Sequence, residues 1–230
     1  MSQKSKAPVK DGKQVKSIEK LSVGDVIQFA GYDWRVLDIQ GCNALILSET
    51  VLEIRAYHGE YEPITWAQSD IRQYLNGEFY NSFNEQDRAR IVEVAVTNND
   101  NPWFVNDPRY DDEYDDGFHG YLPDMRPSGG IDTTDNIFLL SLEEVIRYFG
   151  DSGQLGNKPR EEADQIEDQY DSLRIARDTS GGASWWWLRS PGYSSKCAVR
   201  VHCSGAVDMI SKDVSLDSGG IRPALLLNLK

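Results

Sequence analysis

Ser184-Trp185-Trp186-Trp187-Leu188-Arg189-Ser190-Pro191-Gly192 and Gly219-Gly220-Ile221-Arg222-Pro223-Ala224-Leu225-Leu226-Leu227 bracket the last fifth of a 230-residue chain. Three consecutive indoles and a leucine run are costly to leave in water, so both brackets read as packed strands. The residues between them have different chemistry: Tyr193, Ser194, Ser195, Lys196, Cys197, Arg200, His202, Cys203, Asp208, Met209 and Lys212. They read as a displayed insert on a packed frame. Strand period sends Lys196, Ala198, Arg200 and His202 to one face and Cys197, Val199 and Val201 to the other. The second face is apolar enough to pack, whereas the first carries two fixed cations and an imidazole. That suits a recognition surface, or equally an ordinary solvated strand face.

Working outward, everything from Ala183 reads as β: Trp185 to Arg189, Cys197 to Cys203, Ala206 to Ile210, a weaker Val214 to Leu216, and Arg222 to Leu227. Near the other end, Asp25 to Ala30, Asp33 to Ile39 and Ala44 to Ser48 form an antiparallel meander with turns at Gly31-Tyr32 and Gly41-Cys42-Asn43. Ile71, Tyr74 and Leu75 have amphipathic-helix spacing, and Asn76-Gly77 is the expected stop. Asn84 is placed to cap a second short helix running to Val92. Residues 97 to 135 read as a long connection rich in Asn, Asp, Gly and Pro. Ile137 to Leu140 reads as a strand, followed by the capping box Ser141-Leu142-Glu143-Glu144. Asp151 to Asp171 reads as loop, with one helical turn at Glu161 to Gln169. The expectation is one α+β domain over residues 17–230, preceded by a flexible tail at 1–16.

Composition narrows the function. Against 24 Lys and Arg stand 37 Asp and Glu, a net charge of −13 that repels phosphate backbones, so nucleic acid is not expected as a partner. Three cysteines, Cys42, Cys197 and Cys203, are too few and too odd in number for a disulfide framework. Residues 1–16 lack the apolar centre of a signal peptide, and no apolar run approaches the ~20 residues of a membrane span. A cytoplasmic or virion-associated location is expected.

Trp186 to Gly192 and Gly220 to Leu225, with Ile221 at a position usually Val, resemble the Trp-Trp-Leu-Arg-Ser-Pro-Gly and Gly-Val-Arg-Pro-Ala-Leu motifs of a bacterial and phage family of domains of unknown function. Trp34 to Asp38, Thr65 to Asn76 and Ile137 to Ser141 also resemble that family's signatures. The resemblance implies a C-type lectin-like fold with antiparallel strands, two to four short helices and long loops. It further implies kinship with the variable proteins of diversity-generating retroelements, in which rewritten template adenines turn Asn codons into codons for many residues. The segment from Trp185 to Leu227 contains no Asn, and Tyr193, Cys197, Arg200, His202, Cys203, Asp208, Ser211, Asp213 and Asp217 are candidate rewritten positions. The implied activity is binding without catalysis and without a cofactor, to a protein partner. Expected contacts are Tyr193, Ser195, Lys196, Cys197, Arg200, His202, Cys203, Asp208, Met209, Ser211 and Asp213.

Two alternatives belong beside this reading. Formylglycine-generating oxidases share the implied fold and bind copper through two C-terminal cysteines; Cys197 and Cys203 are the candidates here, thiolates being suitable Cu(I) ligands. A structural or virion domain with no diversified site is the other. The acidic run Asp111 to Asp116 offers carboxylates to Ca²⁺, but it lacks the ligand spacing of an EF-hand and reads as a solvated loop. His58, His119 and His202 have no partners at metal spacing, and Ser128-Gly129-Gly130 reads as a turn, not a phosphate loop.

Overall fold

The computed structural model describes residues 21–107, 110 and 125–230. The expected tail at 1–16 and the acidic run at 111–116 lie outside the described residues. The described residues begin with β1 (Val26–Phe29), β2 (Tyr32–Gln40), β3 (Asn43–Ser48) and β4 (Glu53–Ile54), then a 3-10 turn at Trp66–Gln68. The helices α1 (Asp70–Tyr74), α2 (Tyr80–Ser82) and α3 (Glu85–Arg88) precede β5 (Ile91–Val92), β6 (Val94–Val96) and β7 (Thr133–Asp135). Next come α4 (Leu142–Phe149), β8 (Gln165–Ile166), α5 (Asp171–Arg174), β9 (Ala176–Arg177) and β10 (Ala183–Ser184). The chain closes with β11 (Trp186–Pro191), β12 (Cys197–Val201), β13 (Val207–Asp213), β14 (Gly220–Ile221) and β15 (Ala224–Asn228). This is an α+β protein of mostly antiparallel sheets, with few and short helices.

The two brackets occupy interior strands of the two main sheets. One sheet has the order β1-β2-β3-β15-β5, the other β4-β14-β11-β12-β13-β8. Every residue of β11 is buried, and β15 pairs with both β3 and β5. Trp34, Trp66, Trp186 and Trp187 are among the largest fully buried side chains. The hairpin between β1 and β2 turns on Ala30-Gly31, one residue earlier than expected, and both residues have positive φ (49° and 86°). That is the primed turn whose twist matches the strands.

The bracket arginines fasten these elements together. Arg189 Nη1 donates to Glu144 Oε2 (2.5 Å) and Leu139 O (2.7 Å), and Nη2 donates to Thr97 O (3.1 Å). The same Glu144 closes the capping box by accepting from Ser141 N (2.8 Å), while Ser141 Oγ accepts from Glu144 N (3.2 Å). The start of α4 is thereby tied to β11 through one carboxylate.

Several local expectations are overturned. Asn76-Gly77 does not end the helix; the chain continues through a π turn, Leu75–Phe79, into α2. Asn76 reaches across the fold instead: Nδ2 donates to Ile137 O (2.9 Å), and Oδ1 accepts from Asn136 N (2.8 Å) and Ile137 N (3.2 Å). Those bonds occupy the backbone of 136–137, so the buried segment 137–140 makes only an isolated bridge, Phe138 to Ala224, instead of a strand. The long connection ends early, because Thr133–Asp135 pairs with β6 as β7. In 151–171 the ordered piece is β8, which pairs with β13, and the helical turn falls later, in α5. Val214 to Leu216 forms a turn.

Candidate functional site

The register of β12 against β13 sets the shape of the insert. Ala198 stands opposite Lys212 and Arg200 opposite Asp208, so Val199 alone faces Met209, Ile210 and Ser211. The extra residues form a bulge that turns Ile210 outward, while the Ser211 hydroxyl stays buried without a hydrogen-bond partner. Ser211 has a φ of 69°, in the left-handed region where non-glycine residues are uncommon. The bulge is held from behind: Ile210 O accepts from Tyr193 N (3.1 Å), and a Cβ on Gly192 would lie 2.5 Å from that same oxygen. Glycine is required at 192 because only a bare backbone approaches this closely.

Asp208 organises the centre. Its Oδ2 accepts from Arg200 Nε (2.9 Å) and its Oδ1 from Ser211 N (2.8 Å). The Arg200 guanidinium lies 5.0 Å from the centroid of Trp185, whose ring meets Trp187 edge-on at 4.8 Å. Trp187 Nε1 in turn donates to Arg55 O (3.1 Å). The Arg200 and Asp208 side chains are 13% and 12% exposed, so removing one partner would strand a largely desolvated charge.

The expected contact residues divide accordingly. Ser195, Lys196, His202, Cys203, Ser211 and Asp213 retain exposed surface, as does Lys212, whereas the Arg200 side chain is about as enclosed as that of Asp208. Tyr193 is half-buried and packs on the core. Cys197, Met209 and Asp208 are buried, which removes them as ligand contacts. Cover from distant segments is the reason. Asn101 Nδ2 donates to both Pro191 O (3.1 Å) and Met209 O (3.3 Å), and Cys197 and Ala198 face a crevice shared with Tyr57, Ile64 and Trp66. Ala198, assigned by strand period to the displayed face, is therefore interior.

The remaining side chains group at the two ends of the β12–β13 ribbon. At one end Lys196 Nζ lies 5.0 Å from the ring centroid of Tyr61, which is 54% exposed. At the other, His202 Nδ1 and Ser204 Oγ are 2.9 Å apart and Cys203 Sγ is 3.5 Å from His202 Nε2, in the connection between strands. That connection is pinned by Gly205, where a Cβ would collide with the Asp171 carbonyl. Tyr61 and the exposed Ile210 are surface residues that sequence pattern did not select. Nothing local marks Tyr61, whose relation to Lys196 exists only in the folded chain.

The two cysteines proposed for copper do not converge. Cys197 opens β12 and Cys203 lies beyond its far end, and the strand alone spans ~13 Å. Burial and the nearby Asp213 carboxylate push the Cys197 thiol up to about 12, away from the thiolate that a metal needs. Among the described residues no three His, Cys, Asp or Glu side chains group to hold a metal ion, and no helix is long and apolar enough to cross a membrane.

Comparison with known proteins adds the family. No curated protein and no solved structure matches the chain. Residues 42–229 match the family described as "Domain of unknown function (DUF6273)", an extent that includes both brackets, the insert and every helix among the described residues. The chain belongs to the DUF6273 family.

Proposed function

We propose that the protein is a ligand-binding module of C-type lectin-like fold, whose β12–β13 ribbon is a diversified recognition surface of the kind rewritten by a diversity-generating retroelement. The observation that carries this reading is the separation of roles in the insert. Val199, Val201, Val207 and Met209 are buried, while Ser211, Lys212 and Asp213 keep surface on β13, as do Lys196 and His202 just outside the two ends of β12. A frame of this kind allows side chains to change without refolding, so binding gains from preorganisation. The pairing of β15 into the first sheet, beside strands from the start of the domain, supports a lectin-like closure of the chain ends. A protein partner suits the mixture of cations, carboxylate, imidazole and aromatic edge better than a polyanion does.

The test is genetic. A near-copy of the codons for residues 185–227, differing from them at adenines, is expected next to the gene. Across related loci, substitutions should concentrate at 195, 202, 203, 210, 211 and 213 and spare 197, 199–201 and 207–209. Substitutions spread evenly over the gene would overturn the reading. For any partner so found, replacing Lys196, His202 and Lys212 together with Ala should abolish binding without moving the melting curve. Asp208 is unsuitable for that test because it holds the bulge.

A further inference from the structure

The second bracket arginine is not satisfied by its role as a fastener. Arg222 is 2% exposed; its guanidinium lies between the rings of Phe149 (5.7 Å) and Trp186 (5.0 Å), and Nε donates to Ser48 O (2.9 Å). Nη1 is buried without a hydrogen-bond partner. Leaving a guanidinium N–H unpaired in the interior is costly, the more so because the group is charged.

The same residue lines a pocket of about 320 Å³ whose walls include Val23, Leu37, Tyr148, Leu173 and Ile175. Two other charged groups line it, Arg35 and Glu49, and they are committed to each other: Arg35 Nε and Nη2 donate to Glu49 Oε2 (2.9 Å) and Oε1 (2.5 Å). With that pair closed, the pocket carries one excess positive charge, on a chain whose net charge is −13. Burial pulls the Arg222 guanidinium down to about 10, partly offset by Glu49, so it remains charged at neutral pH and gains from a counter-ion.

We infer that this pocket binds a small carboxylic acid with an apolar body, its carboxylate paired with Arg222 and its hydrocarbon against the apolar walls. The two rings hold the guanidinium in place, and a guanidinium is the cation best suited to pairing with a carboxylate. The volume lies at the small end of ligand sites and suits one aromatic ring or a short branched chain. The pocket shares no residue with the β12–β13 surface, so it stands or falls independently of the recognition proposal.

Calorimetric and NMR titration of the full chain with 3-phenylpropanoate tests it, beside 3-phenylpropanamide and inorganic phosphate. The acid should bind with perturbation of Leu37, Leu173 and Ile175 resonances, and the neutral amide at least about tenfold more weakly, as loss of a charged hydrogen bond requires. Arg222→Met should lose the acid to the same degree. Should that variant not fold, Leu173→Trp at the rim, where Leu173 is 58% exposed, closes the mouth without touching the core and should also weaken binding. Equal binding of acid and amide, tighter binding of phosphate, undiminished binding to the Trp variant, or no binding at about 10 mM ligand would each overturn the inference.

Discussion

The chemistry of the three thiols separates the scaffold from the surface in one measurement. Cys42 is exposed, Cys203 is partly exposed, and Cys197 is 3% exposed with its sulfur 3.7 Å from Asp213 Oδ1. Burial, reinforced by the Asp213 charge, raises the Cys197 thiol from 9.0 to about 12. At pH 8 an unperturbed thiol is ~10% thiolate, whereas one at about 12 is ~0.01%, a thousandfold difference in the reactive form. Ellman's reagent should therefore titrate two thiols rapidly in the native protein and Cys197 at least about a thousandfold more slowly, with all three reacting together in denaturant. Asp213→Asn should accelerate Cys197 while leaving it much the slowest, because burial is the larger cause. The linked stability has a definite sign: between about pH 9 and about pH 12 the unfolded chain releases this proton and the folded chain keeps it, so Cys197 lowers stability as pH rises. Three native thiols reacting at one rate would refute the burial of Cys197, and with it the division between frame and insert.

Other consequences follow from single contacts. In Gly219→Ala the new Cβ falls on the Trp187 indole and displaces its bond to Arg55 O; overpacking and the lost bond together cost ~2–4 kcal/mol, read as a fall in Tm of about 5–10 °C. Asn76→Ala leaves the backbone of 136–137 unsatisfied and should cost about 3 kcal/mol in urea unfolding, well above an ordinary surface amide. Burial alone would raise Asp168, but hydrogen bonds from Arg174 and the Tyr170 backbone outweigh it and hold the carboxyl below its usual value. Its contribution is present above the ordinary carboxyl value and lost as pH falls through the lowered folded value, so Asp168→Asn should flatten the fall in Tm on the acid side of about pH 5. At Ser211, Val should cost ~1–2 kcal/mol and Asn or Gly almost nothing, measurable by thermal melts, because φ there is left-handed.

Much of the frame is legible in the chain because its signals are local. The meander shows as alternating apolar runs around Gly31 and Gly41, and the start of α4 shows in Ser141 and Glu144, whose capping box needs no distant partner. Trp185 and Trp187 share a face, as strand period requires. What escapes is set by distant partners. Asn76 reads as a helix stop by propensity, yet the backbone sixty residues on gives its amide a different use. Strand period fails for Ala198, and the expected display of Met209 fails with it, for two physical reasons: the bulge shifts the phase of β13, and segments around Tyr57 and Asn101 cover a face that the sequence alone leaves open.

That failure constrains what a diversified surface here can be. A position is replaceable when its side chain holds no backbone in place, and Asp208 holds Arg200 and Ser211 at once. Ser211 is replaceable only within its backbone conformation, which favours Asn, Asp and Gly among residues with side chains small enough to bond locally. Those residues, and Ser itself, are the ones that an Asn codon yields when its adenines become guanines. Adenine rewriting would thus supply at 211 the substitutions the bulge accepts, while His202, in the connection beyond β12, has no left-handed φ and accepts a wider range.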